Sequence, residues 1–331
     1  MEKPNRNRNS WIECIKNEAE EAENRIRPYI RETPLEPSPY LSSITESDVY
    51  LKLENLQITK SFKLRGAMNK ILALDPSQLE KGVITASSGN HGAAFAYIMD
   101  RFGIKGTIYL PGNAAKTKVD ALRHHKNTTL KFKGDDCIMS ESSARKEAEE
   151  KGLEFISPYN DLKIIGGQAT VGIELQKQLR NADAVFVPIG GGGLASGIGG
   201  YMKARNKRIT VLGCQPLNSP VMCESVKAGR IVEMESNPTI SDGTAGGIEN
   251  KAITLDICQE VIDDFVLTAE KEIREAIKLI LERHYMLIEG AAALPVAAFL
   301  KTKNLYSGKV VVLIISGAKI SLEKLQSILC T

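Results

Sequence analysis

Along the chain, short apolar runs alternate with longer segments whose apolar positions recur every three to four residues, the pattern of strands feeding helices. Strand-like Val49–Leu53 leads into the segment ENLQITKSFKLRGAMNKI. Gly82–Ala86 then precedes helical His91–Arg101, Thr107–Leu110 precedes Lys116–His125, Leu130–Lys133 precedes Ile138–Lys151, and Phe155 and Ile156 close the series. Helix Gln168–Leu179, strand Ala184–Ile189, helix Leu194–Ala204, strand Ile209–Gly213 and helix Pro220–Ala228 follow. The last stretch reads as strand Val261–Leu267, helices Ala269–Glu282 and Ala291–Lys301, strand Val310–Ile315 and helix Leu322–Leu329. Such alternation is the grammar of parallel βαβ units. It predicts a doubly wound α/β fold, with a smaller α/β domain at 82–158 inserted into a larger one built from 1–81 and 159–331.

Composition narrows the classes. At 331 residues the chain suits roughly two domains. Its 43 basic and 40 acidic residues leave a net charge of only +3, too little for an electrostatic nucleic-acid footprint. The polar N-terminus, a charged arm expected to be helical, lacks the apolar core of a secretory signal. The longest apolar stretches, Ala291–Leu300 and Val310–Ile315, fall short of the ~20 residues that cross a bilayer. Six cysteines (14, 137, 214, 223, 258 and 330) show no paired CxxC spacing, which suits reduced thiols in a cytoplasm.

Ligands in doubly wound sheets bind beyond the carboxyl ends of strands, and four segments fall there or lead there. Gly190 to Gly193 follow the apolar run AVFVPI and open a helix, where free N–H groups favour an anion; the run equally suits a plain strand-to-helix turn. Ser87-Ser88-Gly89-Asn90-His91-Gly92 also joins a strand to a helix, and serves either an anion or ordinary helix capping. Lys63, in SFKLRGA, is either a snorkelling surface lysine or, if buried, a nucleophile with a lowered pKa. Ser316-Gly317-Ala318 follows Val310–Ile315 and could be a plain turn.

Taken together and in this order, these motifs resemble the fold-type II pyridoxal-phosphate enzymes, tryptophan synthase β-like α/β proteins with two open, twisted, mostly parallel sheets flanked by helices. Within them the chain is most similar to the serine/threonine dehydratases (threonine ammonia-lyases) and the serine racemases, from about Ile30 to Leu329. The resemblance implies that Lys63 forms the Schiff base with the aldehyde of pyridoxal 5′-phosphate, with Phe62 beside the ring. It further implies that Asn90 meets the ring O3′, that Gly190, Gly191, Gly192 and Gly193 cradle the phosphate, and that Ser316 meets the pyridine nitrogen. Ser87, Ser88, Asn90 and His91 would receive the substrate. A serine at the ring nitrogen, unlike a carboxylate, does not hold that nitrogen protonated, so β-elimination is favoured over transamination. The implied reaction is loss of water from L-threonine, L-serine or a related β-hydroxy amino acid, giving a 2-oxo acid and ammonia.

Ser88 stands where racemases carry a catalytic serine, so a serine-racemase activity is the alternative. Against it, Gln215 and Val221 replace metal-binding carboxylates, so no metal is expected, and Cys137-Ile138-Met139 lacks the racemases' nearby arginine. Lys60 replaces the glycine of TGSFK, and Ala318-Lys319 replaces Gly-Asn of SGGN. These departures motivate a reading of another class, a catalytically silent amino-acid-binding regulatory protein, against which the intact Lys63 argues. Ser241 to Gly247 match the family's loop beside the ring. Glu289-Gly290-Ala291 matches its EGA motif near the cofactor, although Glu289 also suits a helix N-terminus. The chain ends after the last core helix, so no appended effector domain is expected, and the family resemblance implies a homodimer.

Overall fold

The computed structural model describes residues 10–330. The first nine residues of the predicted arm lie outside the described residues, and the rest of it is helix Trp11–Ile26. Among the described residues ten strands build two sheets: β1 (Leu35–Pro37), β2 (Asp48–Leu53), β3 (Val83–Ala86), β4 (Gly106–Leu110), β5 (Thr128–Phe132), β6 (Glu154–Phe155), β7 (Ala184–Pro188), β8 (Thr210–Pro216), β9 (Asp264–Thr268) and β10 (Val310–Ile315). The larger sheet runs β1-β2-β10-β7-β8-β9 and the smaller β5-β4-β3-β6. Only β1 is antiparallel to its neighbour, as expected where helices cross over both faces. The sheet formed by β3 to β6 is drawn wholly from within 82–158.

Burial follows the sequence pattern. The unbroken apolar runs of β7 and β10 are buried on both faces, which marks central parallel strands, whereas β5, with its mixed TTLKF, lies at an edge and stays half exposed. One core of the larger sheet packs Phe186, Leu313 and Ile315 against helices Glu270–His284 and Gly290–Thr302. The other packs Val185, Val187 and Ile314 against helix Gly193–Arg205. Around the smaller sheet, Val83 and Ile108 join Leu64, Met68 and Ile71 of helix Lys63–Leu72. The helix that carries Lys63 therefore packs in the small-sheet core.

Several elements differ from the expected pattern. Helix Leu162–Gln178 starts six residues earlier than Gln168, because Asp161 caps it by accepting from the N–H groups of Lys163 and Ile164. Its glycines disguise it in the sequence, yet they permit close approach: a Cβ at Gly167 would lie 2.5 Å from the Arg65 carbonyl oxygen. The expected strand Val261–Leu267 begins later, at Asp264, and is preceded by an unpredicted helix, Ile253–Val261. Among the described residues no helix is long and apolar enough to cross a membrane. Cys14, Cys214, Cys223, Cys258 and Cys330 are free thiols.

Candidate active site

Strand order brings the motifs together. β2, β10 and β7 are adjacent and parallel, so the segments leaving their carboxyl ends emerge on one edge of the sheet: residues 54–63, 316–319 and 189–193. Backbone hydrogen bonds stitch the first two. Phe62 N–H donates to Ser316 O at 3.1 Å, Ala318 N–H donates to Lys60 O at 3.0 Å, and Ser61 forms a bridge with Gly317. Lys63 is the first residue of its helix, directly behind this junction.

The Lys63 ammonium donates to the Pro158 carbonyl at 2.8 Å and lies 5.1 Å from the Phe62 ring centroid. Burial pulls its pKa down to about 8, and Glu289 only partly opposes this. It is not the snorkelling surface lysine that the sequence left open. Pro158 comes just after β6, so the amine joins the two sheets. Two residues on, Arg65 is fully buried and ties the same helix down: Nε is 2.7 Å from Glu54 Oε2 and Nη1 is 2.7 Å from Glu174 Oε1. Lys52 adds a contact of 2.6 Å to Glu174. Burial pushes the Glu174 carboxyl up, but Arg65 and Lys52 overcome it and hold the group down at about 2.

Asn90 and His91 begin helix Asn90–Phe102. Asn90 Nδ2 donates to both Glu289 oxygens, each at 2.9 Å, while its Oδ1 is buried without a partner. The His91 ring is buried against the Ile156 carbonyl at 3.0 Å, and burial, with Lys63, holds its pKa down at about 3. It is a neutral, packed imidazole; what His91 offers a ligand is its main-chain N–H, one of the first-turn donors without an intrahelical partner. Ser87 Oγ accepts from Gly89 N–H at 3.2 Å, and Ser88 is half-buried.

The glycine loop opens helix Gly193–Arg205, and Gly192 takes a φ of 89°, a conformation that strains other residues. The loop also has no room for side chains: a Cβ at Gly191 would lie 2.5 Å from the Tyr159 ring, and one at Gly190 3.0 Å from Thr244 Cα. Tyr159 was not singled out from the sequence, and its only signal there is its place just after β6. Ser316 Oγ, at the end of β10, is buried and unpartnered. Gln215 Oε1 accepts from Cys223 N–H at 2.7 Å.

The two departures from the family pattern meet in space. Lys60 and Lys319 both line a cavity of about 290 Å³ with Thr59, Ala93, Tyr97 and His125. Lys60 has a φ of 66°, so the backbone keeps the left-handed turn that a glycine would adopt freely while the residue is a lysine.

A family model described as pyridoxal-phosphate dependent enzyme matches residues 26–317, and the chain belongs to that family. Its relatives include the catabolic L-threonine dehydratase of Staphylococcus aureus, 38% identical over 314 residues, which are 94% of this chain and 90% of that protein. Among solved structures, maize serine racemase aligns with a TM-score of 0.89 at 32% identity, covering 95% of this chain and 96% of that one. The processed form of threonine deaminase isoform 2 from Solanum lycopersicum aligns with a TM-score of 0.91 at 31% identity, covering 96% of this chain and 87% of that one.

The residues present fit pyridoxal phosphate. An amine with a lowered pKa stands at Lys63, buried polar atoms at Ser316 and Asn90 lack partners, and a close-packed glycine loop opens a helix suited to phosphate.

Proposed function

We propose that this protein is a pyridoxal-phosphate-dependent ammonia-lyase that dehydrates L-threonine and L-serine to a 2-oxo acid and ammonia. The observation that carries the site assignment is Lys63: a buried amine held at the Pro158 carbonyl, whose lowered pKa leaves part of it neutral near pH 7. When bound, the cofactor supplies an electron sink for charge developing at the substrate α-carbon.

The chain's own residues supply the rest. Lys63 Nζ would anchor the cofactor and would be the base placed to take the α-proton. Gly190 to Gly193 would hold the phosphate with main-chain N–H groups and the helix dipole, and Phe62 would flank the ring. Ser316 Oγ would offer the ring nitrogen a neutral partner, and Asn90 would hold the ring hydroxyl. The hydroxyls and N–H groups of Ser87 and Ser88 and the main-chain N–H of His91, with Asn90, would receive the substrate carboxylate. The division into 1–81 with 159–331 and 82–158 belongs to this reading, as do a homodimeric assembly and a cytoplasmic location.

The test is an absorbance spectrum of the purified holoenzyme before and after L-threonine, with Lys63→Ala as control. A visible band that requires Lys63 and changes as a 2-oxo acid accumulates is the expected outcome. A Lys63-dependent band that responds while only the Cα-inverted amino acid accumulates, D-allo-threonine from L-threonine or D-serine from L-serine, would replace the lyase with a racemase, the second reading. That reading is favoured by Ser88 and by the likeness to maize serine racemase.

A further inference from the structure

Glu289 occupies the position just before helix Gly290–Thr302, where a carboxylate ordinarily caps the first N–H groups, yet its side chain makes no such bond. The carboxylate turns away and is spent elsewhere. Both oxygens accept from Asn90 Nδ2 at 2.9 Å, and Oε2 also accepts from Lys319 N–H at 3.1 Å. The residue's own N–H donates to Gly317 O at 3.1 Å. A Cβ at Gly317 would lie 2.5 Å from Glu289 Oε1, so the glycine of the Ser316 turn is what admits the carboxylate. The residue is 6% exposed. One buried carboxylate thus clamps the start of the Asn90 helix to the turn after β10, and that turn is hydrogen-bonded to the segment carrying Lys63.

An asparagine amide can be turned either way in a site, presenting an acceptor or a donor. A carboxylate accepts only, so it compels Nδ2 to face it and leaves Oδ1, unpartnered, on the opposite arm of the amide. We propose that Glu289 is the positioning residue that sets the orientation of the Asn90 amide and so fixes the polar group offered to the cofactor ring, an inference that rests on the lyase reading above. The clamp is conditional on charge. Burial, reinforced by Asp242 from the 241–247 loop and opposed by Asn90 and Lys319, raises the Glu289 pKa to about 7. Lys63 is the cation facing it from the remaining packed segment, and the neighbouring His91 stays neutral. Protonation of Glu289 removes one acceptor and releases the amide.

The experiment compares wild type, Glu289→Gln, Glu289→Asp, Asn90→Ala and the double variant Glu289→Gln/Asn90→Ala as holoenzymes. The readouts are a pH titration of the cofactor's visible band without substrate, and kcat and KM for L-threonine. The expected result is a band change near neutral pH in wild type that Glu289→Gln loses and Glu289→Asp keeps. With it, kcat should fall about 10- to 100-fold in Glu289→Gln while KM changes far less, and the double variant should be no worse than Asn90→Ala alone. The inference is overturned if Glu289→Gln titrates and turns over like wild type, or if the two single effects multiply in the double variant. Should Glu289→Gln not fold, a wild-type band that does not change near neutral pH, or a Glu289→Asp holoenzyme that loses the change, would overturn it equally. If wild type makes no 2-oxo acid from threonine, the lyase reading falls, while the substrate-free band titration still decides the role of Glu289.

Discussion

Two buried polar clusters flank Lys63, and they are built on opposite plans. Behind it, Arg65, Glu54, Glu174 and Lys52 are fully buried and matched: Arg65 spans both carboxylates, and Lys52 also donates to Thr33 O and Gln178 Oε1. In front, Glu289 and Ser316 are buried and Asn90 is half-buried, but the buried Asn90 Oδ1 and Ser316 Oγ have no partner and Glu289 enters none of the described ion pairs. A saturated network has nothing left to offer a ligand and works as scaffold. An unsaturated one costs stability until something binds, which is how a prepared site differs from a merely polar interior.

That contrast can be broken at either end. Lys63→Ala, which removes the group between the clusters, should reduce turnover by about 10³-fold or more with the fold retained, checked by 2-oxo acid assay and circular dichroism. Arg65→Met leaves Glu54 and Glu174 buried without their shared cation and should cost about 3–5 kcal/mol in denaturant titration; a loss below 1 kcal/mol would mean the network is no scaffold.

Glu289 should make the front cluster sensitive to pH. Its folded pKa, about 7, lies above the 4.5 of a free carboxyl. Between those values the folded chain keeps a proton that the unfolded chain has lost, so stability falls as pH rises through the window, by up to about 3 kcal/mol. Denaturation of cofactor-free protein at pH 5 and pH 8 measures this contribution as the part of the difference that Glu289→Gln abolishes.

Removing an unpartnered hydroxyl should relieve the unliganded protein. Ser316→Ala is expected to stabilise the cofactor-free form by about 1 kcal/mol while weakening cofactor binding, read by thermal shift with and without pyridoxal phosphate. The smallest effect belongs to Lys60, whose φ of 66° strains a residue with a Cβ. Lys60→Gly should gain about 0.5 kcal/mol, the relief of strain being partly offset by the greater freedom of glycine when unfolded.

Local pattern determined much of this protein. The apolar runs of β7 and β10 announced central parallel strands, and the strand-to-helix junctions at 87–92, 190–193 and 316–318 were readable because loops at strand ends carry chemistry through main-chain groups whose spacing is set along the chain. The likeness of SFKLRGA and its companions to the pyridoxal-phosphate enzymes pointed to the cofactor before any contact was known.

What the tertiary structure alone decided is how distant residues meet. The order β2-β10-β7 brings the Ser316 turn onto the segment that leads into Lys63, and the segment just after β6 sets Pro158 and Tyr159 against Lys63 and the glycine loop. Nothing near His91 in the sequence foretold that its ring would be spent on Ile156, nor anything near Glu289 that its carboxylate would leave its own helix for Asn90. Lys60 and Lys319, 259 positions apart in the sequence, line a single cavity. Charge, burial and pKa are properties of what surrounds a group, and that environment is assembled from segments hundreds of residues apart; periodicity along the chain carries no record of it.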